Sequence, residues 1–309
     1  MALDIGLIML NSGTCHSAYR RGWNFFSTRT NHIGQHGSGC TTSNIDVSWE
    51  WYTPPGKVKD AFPLYYAALC GFCDLVKHLI GKCPEHINAR GGLLVTPLVA
   101  ALYRKHFQVA ELLFRHQADV DVRGAIDNTP LTTACSDGPL DTVLWLLERG
   151  ADVTAQVGPG GWTALHFAAF HSRPKAAQAL LEHSANINSR TVEGGVPLHL
   201  AASPYHHHDD QLDTMQLLLD NGADVNTRDN EGSTPLHHSS YRQWESIGAP
   251  YTGTVASTRL LLKHGANINA TDNKGRTALE VALLYGRAEI ARVLTEHTTK
   301  RDEIEHPVF

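Results

Sequence analysis

The stretch TPLTTACSDGPLDTVLWLLERGADV occupies residues 129–153 and carries two signals that recur along the chain. Its opening, Thr129-Pro130-Leu131, is typical of a helix start, because a threonine side chain caps the helix and proline is favoured at the first helical position. Its end, Leu146-Leu147 followed by Gly150, is typical of a helix that ends in a left-handed turn. The stretch therefore predicts a helix, a turn and a second helix.

Related openings begin at residues 62, 96, 129, 163, 196, 234 and 277. Successive openings are separated by 33 or 34 residues up to the fifth, and by 38 and 43 residues thereafter. A fixed period of this length indicates a repeat architecture. The two longer intervals place extra residues between the helices of the fifth and sixth units, at Ser203–Asp210 and Arg242–Thr252.

The openings, the leucine-rich endings and the period resemble those of ankyrin repeats over residues 57–300. One unit cannot bury its apolar face alone, so stacked units share a continuous core. The resemblance implies an all-α solenoid of about seven helix-turn-helix units with hairpin-like loops. The units start near residues 57, 91, 124, 158, 191, 229 and 272. Residues 1–56 form a non-repeat segment, partly ordered or disordered, and residues 301–309 form a charged tail.

The composition narrows the range of functions. Of the 309 residues, 42% are hydrophobic and 18% charged, which excludes a chain disordered throughout. The formal net charge of -5 argues against a nucleic-acid binder. No apolar run is long enough for a membrane span. The six cysteines end at Cys135, which does not fit a disulfide-stapled secreted chain. We therefore expect a cytoplasmic monomer with reduced thiols, and a nuclear location stays open.

Three short motifs contain residue types that bind phosphate or metal, but each lacks residues that such a site requires. Gly34–Thr41 resembles a phosphate-binding loop, yet Cys40 stands where the lysine is required. Cys70 and Cys73 have metal or redox spacing without a second pair. His206–Asp210 contains metal-ligand types, but adjacent side chains diverge, so a solvated loop is favoured over a metal site. No nucleophile motif is present. We predict no catalytic residue, metal or cofactor.

In ankyrin repeats, partner contacts come from the hairpin tips and the exposed ends of the first helices. The resemblance therefore implies a protein partner on the concave face. Together with the aromatic residues of the inserts, the candidate partner-binding residues are Tyr103, Arg104, Trp162, Phe170, His171, Tyr241, Arg242, Trp244, Tyr251, Arg276 and Tyr285. Tyrosine, tryptophan and arginine are enriched at binding hot spots. The alternative is that these rings pack on neighbouring repeats.

A non-enzymatic protein-interaction scaffold or adaptor is the favoured function, and two others stay open. Residues 49–56 and 63–72 are similar to ankyrin regions of large fungal NACHT-type NTPases, which implies a recognition or regulatory segment related to a larger switch protein. The chain lacks their nucleotide-binding module. The third function is a metal-binding protein or enzyme that uses the inserts. His166, His199 and His237 occupy the family's TPLH position, where the resemblance implies a hydrogen bond to a neighbouring loop.

Overall fold

The computed structural model describes residues 62–91, 96–124, 127–203, 211–241 and 252–305. These residues lie in one compact unit that begins at Lys59, and they form fourteen α-helices in seven consecutive pairs. The pairs are α1 (Pro63–Cys70) with α2 (Cys73–Lys82), α3 (Pro97–Tyr103) with α4 (Phe107–Arg115), α5 (Pro130–Asp137) with α6 (Leu140–Glu148), α7 (Ala164–Phe170) with α8 (Pro174–Glu182), α9 (Pro197–Ala202) with α10 (Gln211–Asp220), α11 (Pro235–Ser240) with α12 (Thr252–Lys263), and α13 (Ala278–Leu284) with α14 (Ala288–Glu305). The predicted all-α solenoid is confirmed.

Threonine caps begin several of the first helices, as the sequence predicts. The Thr96 hydroxyl accepts a hydrogen bond from the Val99 N–H at 3.4 Å, and the Thr129 hydroxyl accepts one from the Thr132 N–H at 3.2 Å. Helix α9 starts after Val196, which has no hydroxyl to offer. There a residue inside the helix caps the N–H of the residue before it: Nδ1 of His199 accepts a hydrogen bond from the Val196 N–H at 3.2 Å.

Left-handed turns end the second helices. Glycine supplies the turn at Gly150 and Gly222, with φ of 78° and 87°. Gln117 and Ser184 adopt the same conformation in the second and fourth units, with φ of 67° and 66°. A side chain in this region costs about 1–2 kcal/mol relative to glycine. The helix ends are therefore set by the repeat geometry, even where the local residue disfavours it.

The core lies between stacked first helices, where small side chains allow close approach. Ala68, Ala169 and Ala202 are buried at equivalent positions of three first helices. Leu102 is the larger residue at the equivalent position of the second unit. A cavity of about 20 Å³ lies beside it, between the second and third units. The larger side chain of Leu102 therefore coincides with imperfect packing at this contact between the second and third units.

The loops between units are joined by a series of hydrogen bonds. Each of four side chains donates to the main-chain carbonyl of the equivalent residue one unit further along. The pairs are Arg123 to Gln156 at 3.0 Å, Gln156 to Arg190 at 3.0 Å, Arg190 to Arg228 at 2.9 Å, and Arg228 to Thr271 at 2.6 Å. An antiparallel bridge between Val157 and Trp162 gives the fourth unit's loop its hairpin character. The loops therefore run in register along the array.

Both predicted inserts separate the two helices of their unit. Helix α9 ends at Ala202 and α10 begins at Gln211, while α11 ends at Ser240 and α12 begins at Thr252. At the other end, α14 continues to Glu305 through 297–299, where earlier units have a turn. Without a glycine there, the helix takes in residues 301–305 of the predicted tail. None of the helices in the described ranges is both long and apolar enough to cross a membrane.

Candidate partner-binding surface

An aromatic cluster in the fourth unit unites three of the predicted site residues. The Trp162 ring, in the hairpin loop, lies 5.3 Å from the Phe170 ring and 5.1 Å from the Phe167 ring. His171 meets Phe170 edge to face at 5.2 Å. Trp162, Phe170 and His171 are all half-buried, so each ring packs on its neighbours and still presents a face to solvent. Packing and exposure therefore occur together here, and these ring contacts lie within one unit rather than on a neighbouring repeat.

A second cluster joins the sixth and seventh units. The rings of Tyr241 and Tyr285 meet at 5.5 Å between centroids, and the Tyr241 hydroxyl lies 3.2 Å from Oγ of Ser233. Burial raises the pKa of Tyr241 above its usual value. Both tyrosines are half-buried at the ends of first helices, which fixes their rings in place.

Arg276 is anchored beside this cluster. Its guanidinium donates to Oδ2 of Asp272 from Nη2 at 2.6 Å and from Nε at 2.9 Å. Burial alone would raise the pKa of Asp272, but the bonds from Arg276 and from backbone N–H groups hold it below its usual value. The ion pair thus keeps the Arg276 side chain in one position.

The remaining predicted residues divide into two groups. Tyr103 is 50% exposed at the end of α3, and Arg104 follows it, exposed. Arg242, Trp244 and Tyr251 lie outside the described residues. The structure therefore places eight of the predicted residues and brings two subsets together, one in the fourth unit and one across the sixth and seventh.

The histidines of the TPLH position hold the array together. His166 Nε2 lies 3.3 Å from the Gly195 carbonyl and His199 Nε2 lies 3.1 Å from the Ser233 carbonyl, each in the next unit. Burial lowers the pKa of both rings from 6.5 to about 4. Both are therefore neutral at physiological pH. In each case Nδ1 accepts from a backbone N–H, so Nε2 carries the proton and donates to the carbonyl.

Two groups in the described ranges bring three metal-ligand atoms within 4.8 Å of one another. In the first, Asp229 accepts from His238 at 2.8 Å and His199 completes the set. His199 must lose its bonds to Val196 and Ser233 before it can offer a lone pair at Nε2. The second group comprises Cys83, Glu85 and His86 in the exposed turn after α2. Neither group supplies the fourth protein ligand of a closed structural zinc site.

Exposed apolar residues outside the predicted set also mark the surface. Val192, at the tip of the fifth unit's loop, is 68% exposed, and Leu283 and Leu284 are each 63% exposed on α13. Val192 was not predicted, because valine is under-represented at binding hot spots. Leu283 aligns with Ala169 and Ala202, which are buried in their units.

Comparison with known proteins agrees with this geometry. The family described as "Ankyrin repeats (3 copies)" matches residues 64–157, 155–229 and 198–304. The chain is 43% identical over 110 residues to Ankyrin repeat and SOCS box protein 11 of Danio rerio, which covers 36% of this chain and 37% of that protein. It is 29% identical over 159 residues to Ankyrin repeat protein nuc-2 of Neurospora crassa, across 41% of this chain and 15% of that protein.

A third relative is Ankyrin repeat and SAM domain-containing protein 6 of Mus musculus, 33% identical over 102 residues, or 33% of this chain and 11% of that protein. The matches thus cover only about a third or less of each of these relatives. They share the repeats with this chain, and ankyrin repeats are in general non-enzymatic protein-interaction modules. The helix pairs, the TPLH hydrogen bonds and the family match lead to one conclusion: this chain belongs to the ankyrin repeat family.

Proposed function

We propose that this protein is a non-enzymatic scaffold or adaptor, which binds a partner protein on the concave face of its repeat array. The observation that carries the proposal is the state of the rings at the loop tips and first-helix ends. Trp162, Phe170, Tyr241 and Tyr285 are each half-exposed and each packed against another aromatic ring. Aromatic side chains in this state are typical of binding hot spots.

The packing of the rings supports binding for an energetic reason. A side chain that becomes ordered on binding costs about 0.5–1.5 kcal/mol in lost rotamer freedom. The Trp162 ring is already held by Phe167 and Phe170, and the Tyr241 hydroxyl lies within hydrogen-bond distance of Ser233. Much of that cost is therefore met on folding. A partner gains the contact area of these rings without having to immobilise them.

The two inserts belong to this proposal. Each leaves its unit after the first helix, beside Ser203 or Tyr241. Neighbouring units stack in register, and insertions in repeat proteins commonly lie on one face. We propose that the inserts, with Trp244 and Tyr251, form one composite surface continuous with Tyr241 and Arg242 and contribute to partner choice. The test is to shorten both inserts to the regular unit length and to measure stability and partner binding separately. Unchanged affinity for the partner would show that the inserts are surface loops without a role in binding.

The main experiment compares affinity capture by three forms of the full chain. One form is unaltered, one carries Tyr103→Ser, Phe170→Ser and Tyr285→Ser, and the control carries Leu75→Ser and Leu144→Ser. The control residues are 40% and 38% exposed on second helices, away from the proposed surface. Proteins captured by the unaltered and control forms but lost from the triple variant are the expected result. An identical set from all three forms contradicts the proposal.

A cytoplasmic or nuclear location, a monomeric state and the lack of nucleic-acid binding complete the proposal. The formal net charge of -5 and the thiols of Cys73, Cys83 and Cys135, none of which forms a disulfide, support it. Imaging of a tagged chain, sedimentation and a DNA and RNA filter-binding assay address these points in turn. A secreted or membrane-bound tagged chain would contradict the location.

A further inference from the structure

The sixth unit has hydroxyl side chains at four buried positions, two on each of its helices. They are Ser239 and Ser240 on α11, and Ser257 and Thr258 on α12, each 0% exposed. At the equivalent positions, no other unit has more than one hydroxyl side chain. The fourth unit has alanine at all four, and they are all buried: Ala168, Ala169, Ala176 and Ala177. The interior of the sixth unit is therefore polar where that of the fourth is apolar.

The serines of α11 bond to atoms of their own unit. Oγ of Ser239 donates to the Leu236 carbonyl at 2.8 Å and lies 3.1 Å from Oγ1 of Thr258. Oγ of Ser240 donates to the same carbonyl at 3.0 Å. A hydrogen bond only partly offsets the cost of removing a hydroxyl from water, and bonds of this kind to the preceding turn weaken a helix. Serine also has a lower helix propensity than alanine, so these residues stabilise the sixth unit less than the alanines stabilise the fourth.

A long connection weakens the same unit. The chain between α11 and α12, from Ser240 to Thr252, is the longest connection between two paired helices. The entropy lost when a connection is closed grows with its length, so the pairing of α11 with α12 costs more than that of α7 with α8. The sixth unit therefore combines a polar interior with an unfavourable connection.

The seventh unit depends on the sixth for its contacts. Helix α13 packs on α11, and α14 packs on α12. His237 Nε2 lies 3.0 Å from the Arg276 carbonyl, and the Tyr241 ring meets the Tyr285 ring at 5.5 Å. In a repeat array each unit is stabilised by its own interior and by its neighbours. Opening of the sixth unit therefore removes these contacts and destabilises the seventh unit with it.

The fifth unit is better supported. Its interior includes Ala201, Ala202 and Met215, each at most 2% exposed. When the sixth unit opens, the fifth loses the bond from His199 to the Ser233 carbonyl, but it keeps the fourth unit, on which α9 and α10 pack. The boundary between the folded and the open part therefore falls between the fifth and sixth units.

We propose that the sixth and seventh units form a conformational switch, which opens as one segment while the second to fifth units stay folded. Opening separates Tyr241 from Tyr285 and takes the second aromatic cluster apart. The cluster of Trp162 and Phe170 in the fourth unit stays assembled. The array thus carries one permanent aromatic surface and one that forms only in the closed state. The switch is a property of the array itself, so it does not depend on the function proposed above.

Native-state hydrogen exchange of the full chain, measured helix by helix by mass spectrometry at low urea concentrations, tests the switch. The first variant combines Ser239→Ala, Ser240→Ala and Thr258→Val. Each substitution introduces the residue of an equivalent position in another unit, namely Ala201, Ala202 and Val143. The matched control, Ala168→Ser with Ala169→Ser, transfers the serine pair to the fourth unit. Thermal melts confirm that each form is folded.

In the unaltered chain we expect α11 to α14 to exchange together, at least about tenfold faster than α7 and α8. The first variant should slow the exchange of α11 to α14 by about 5- to 30-fold and leave that of α7 and α8 within about twofold. The control should speed the exchange of α7 and α8 by a similar factor.

Three outcomes overturn the proposal. The first is exchange of α11 and α12 that is as slow as that of α7 and α8. The second is protection of α13 and α14 while α11 and α12 exchange, because the seventh unit then does not follow the sixth. The third is an unchanged or faster rate for α11 and α12 in the first variant, because the hydroxyls then do not set the opening.

Discussion

The imidazole of His199 and the carbonyl of Ser233 are 3.1 Å apart and tie the fifth unit to the sixth. His166 makes the same contact with Gly195 at 3.3 Å, and His237 with Arg276 at 3.0 Å. Each ring also accepts from a backbone N–H of its own helix start through Nδ1. One neutral side chain therefore caps a helix and joins two repeats.

Acid should loosen these junctions. Burial lowers the pKa of His166 and His199 from 6.5 to about 4, and that of His237 in the same direction. The unfolded chain therefore binds more protons than the folded chain between pH 6.5 and about 4. Stability is fully present above pH 6.5 and is lost as the pH falls, by up to about 3 kcal/mol for each of the two rings with the larger shift. Urea unfolding at pH 7, 6, 5 and 4 measures the loss.

The control for this prediction is His199→Thr. In the third unit the residue equivalent to His199 is Thr132, which makes the same kind of cap. Its Oγ1 accepts a hydrogen bond from the Thr129 N–H at 2.9 Å. The variant should be less stable at pH 7, because the bond to Ser233 is gone. Its stability should also fall less steeply between pH 6.5 and 4. An unchanged slope would show that His199 does not carry the pH dependence.

Gly222→Pro should open the array locally. Gly222 has a φ of 87°, which proline cannot adopt, and its N–H donates to the Leu219 carbonyl at 3.0 Å. We expect a loss of about 3 kcal/mol or more centred on the junction of the fifth and sixth units. Gly222→Ala, which has open space for its Cβ, should cost only about 1 kcal/mol. Hydrogen exchange should show graded loss of protection along the array; uniform loss across 62–305 contradicts the prediction.

Arg173 should contribute more than its surface position suggests. Its guanidinium donates to the Ala134 carbonyl at 2.8 Å and to the Gly138 carbonyl, both at the end of α5 in the preceding unit. Arg173→Met leaves these carbonyls without that donor and should lower the free energy of unfolding by about 1–3 kcal/mol. Arg292→Met removes exposed ion pairs to Glu289 and Glu296 and should cost less than about 0.5 kcal/mol. Equal shifts in the urea midpoint would refute the role of Arg173.

Removal of metal should leave stability unchanged. His206–Asp210 lies outside the described residues, and its sequence predicts a solvated loop, because adjacent side chains diverge. Both ring nitrogens of His199 are already engaged in hydrogen bonds. Thermal melts with and without a chelator should therefore overlay, and added zinc should not raise the midpoint. A shift of several degrees in either experiment, on the order of 1 kcal/mol for a domain of this kind, would point to a bound ion.

The sequence was sufficient for the fold because its signals are local and repeated. The Thr-Pro-Leu openings, with Gly150 and Gly222 after the second helices, mark helix boundaries through capping and left-handed turns. Gln117 and Ser184 take the same conformation without glycine, which only the repeat register predicts. The spacing of the repeats also predicted where the two inserts lie, between the helices of the fifth and sixth units.

The site was predictable only in part, because its contacts join residues far apart in sequence. The resemblance to ankyrin repeats implied Tyr241 and Tyr285 as site residues, but not their ring contact at 5.5 Å. The half-burial of Trp162 against Phe167 depends on how the loop folds back on α7. The exposure of Leu283 depends on which unit lies next to it, a property that no local pattern contains.

The direction of the histidine bonds has a consequence for biosynthesis. His166, His199 and His237 each bond a carbonyl that lies 29, 34 or 39 residues further along the chain. During synthesis each of these rings is added to the chain before its acceptor, which follows about 1.5–8 s later at about 5–20 residues per second. Each new unit thus completes the one made before it. The unit at the growing end is therefore the one whose histidine still lacks its acceptor.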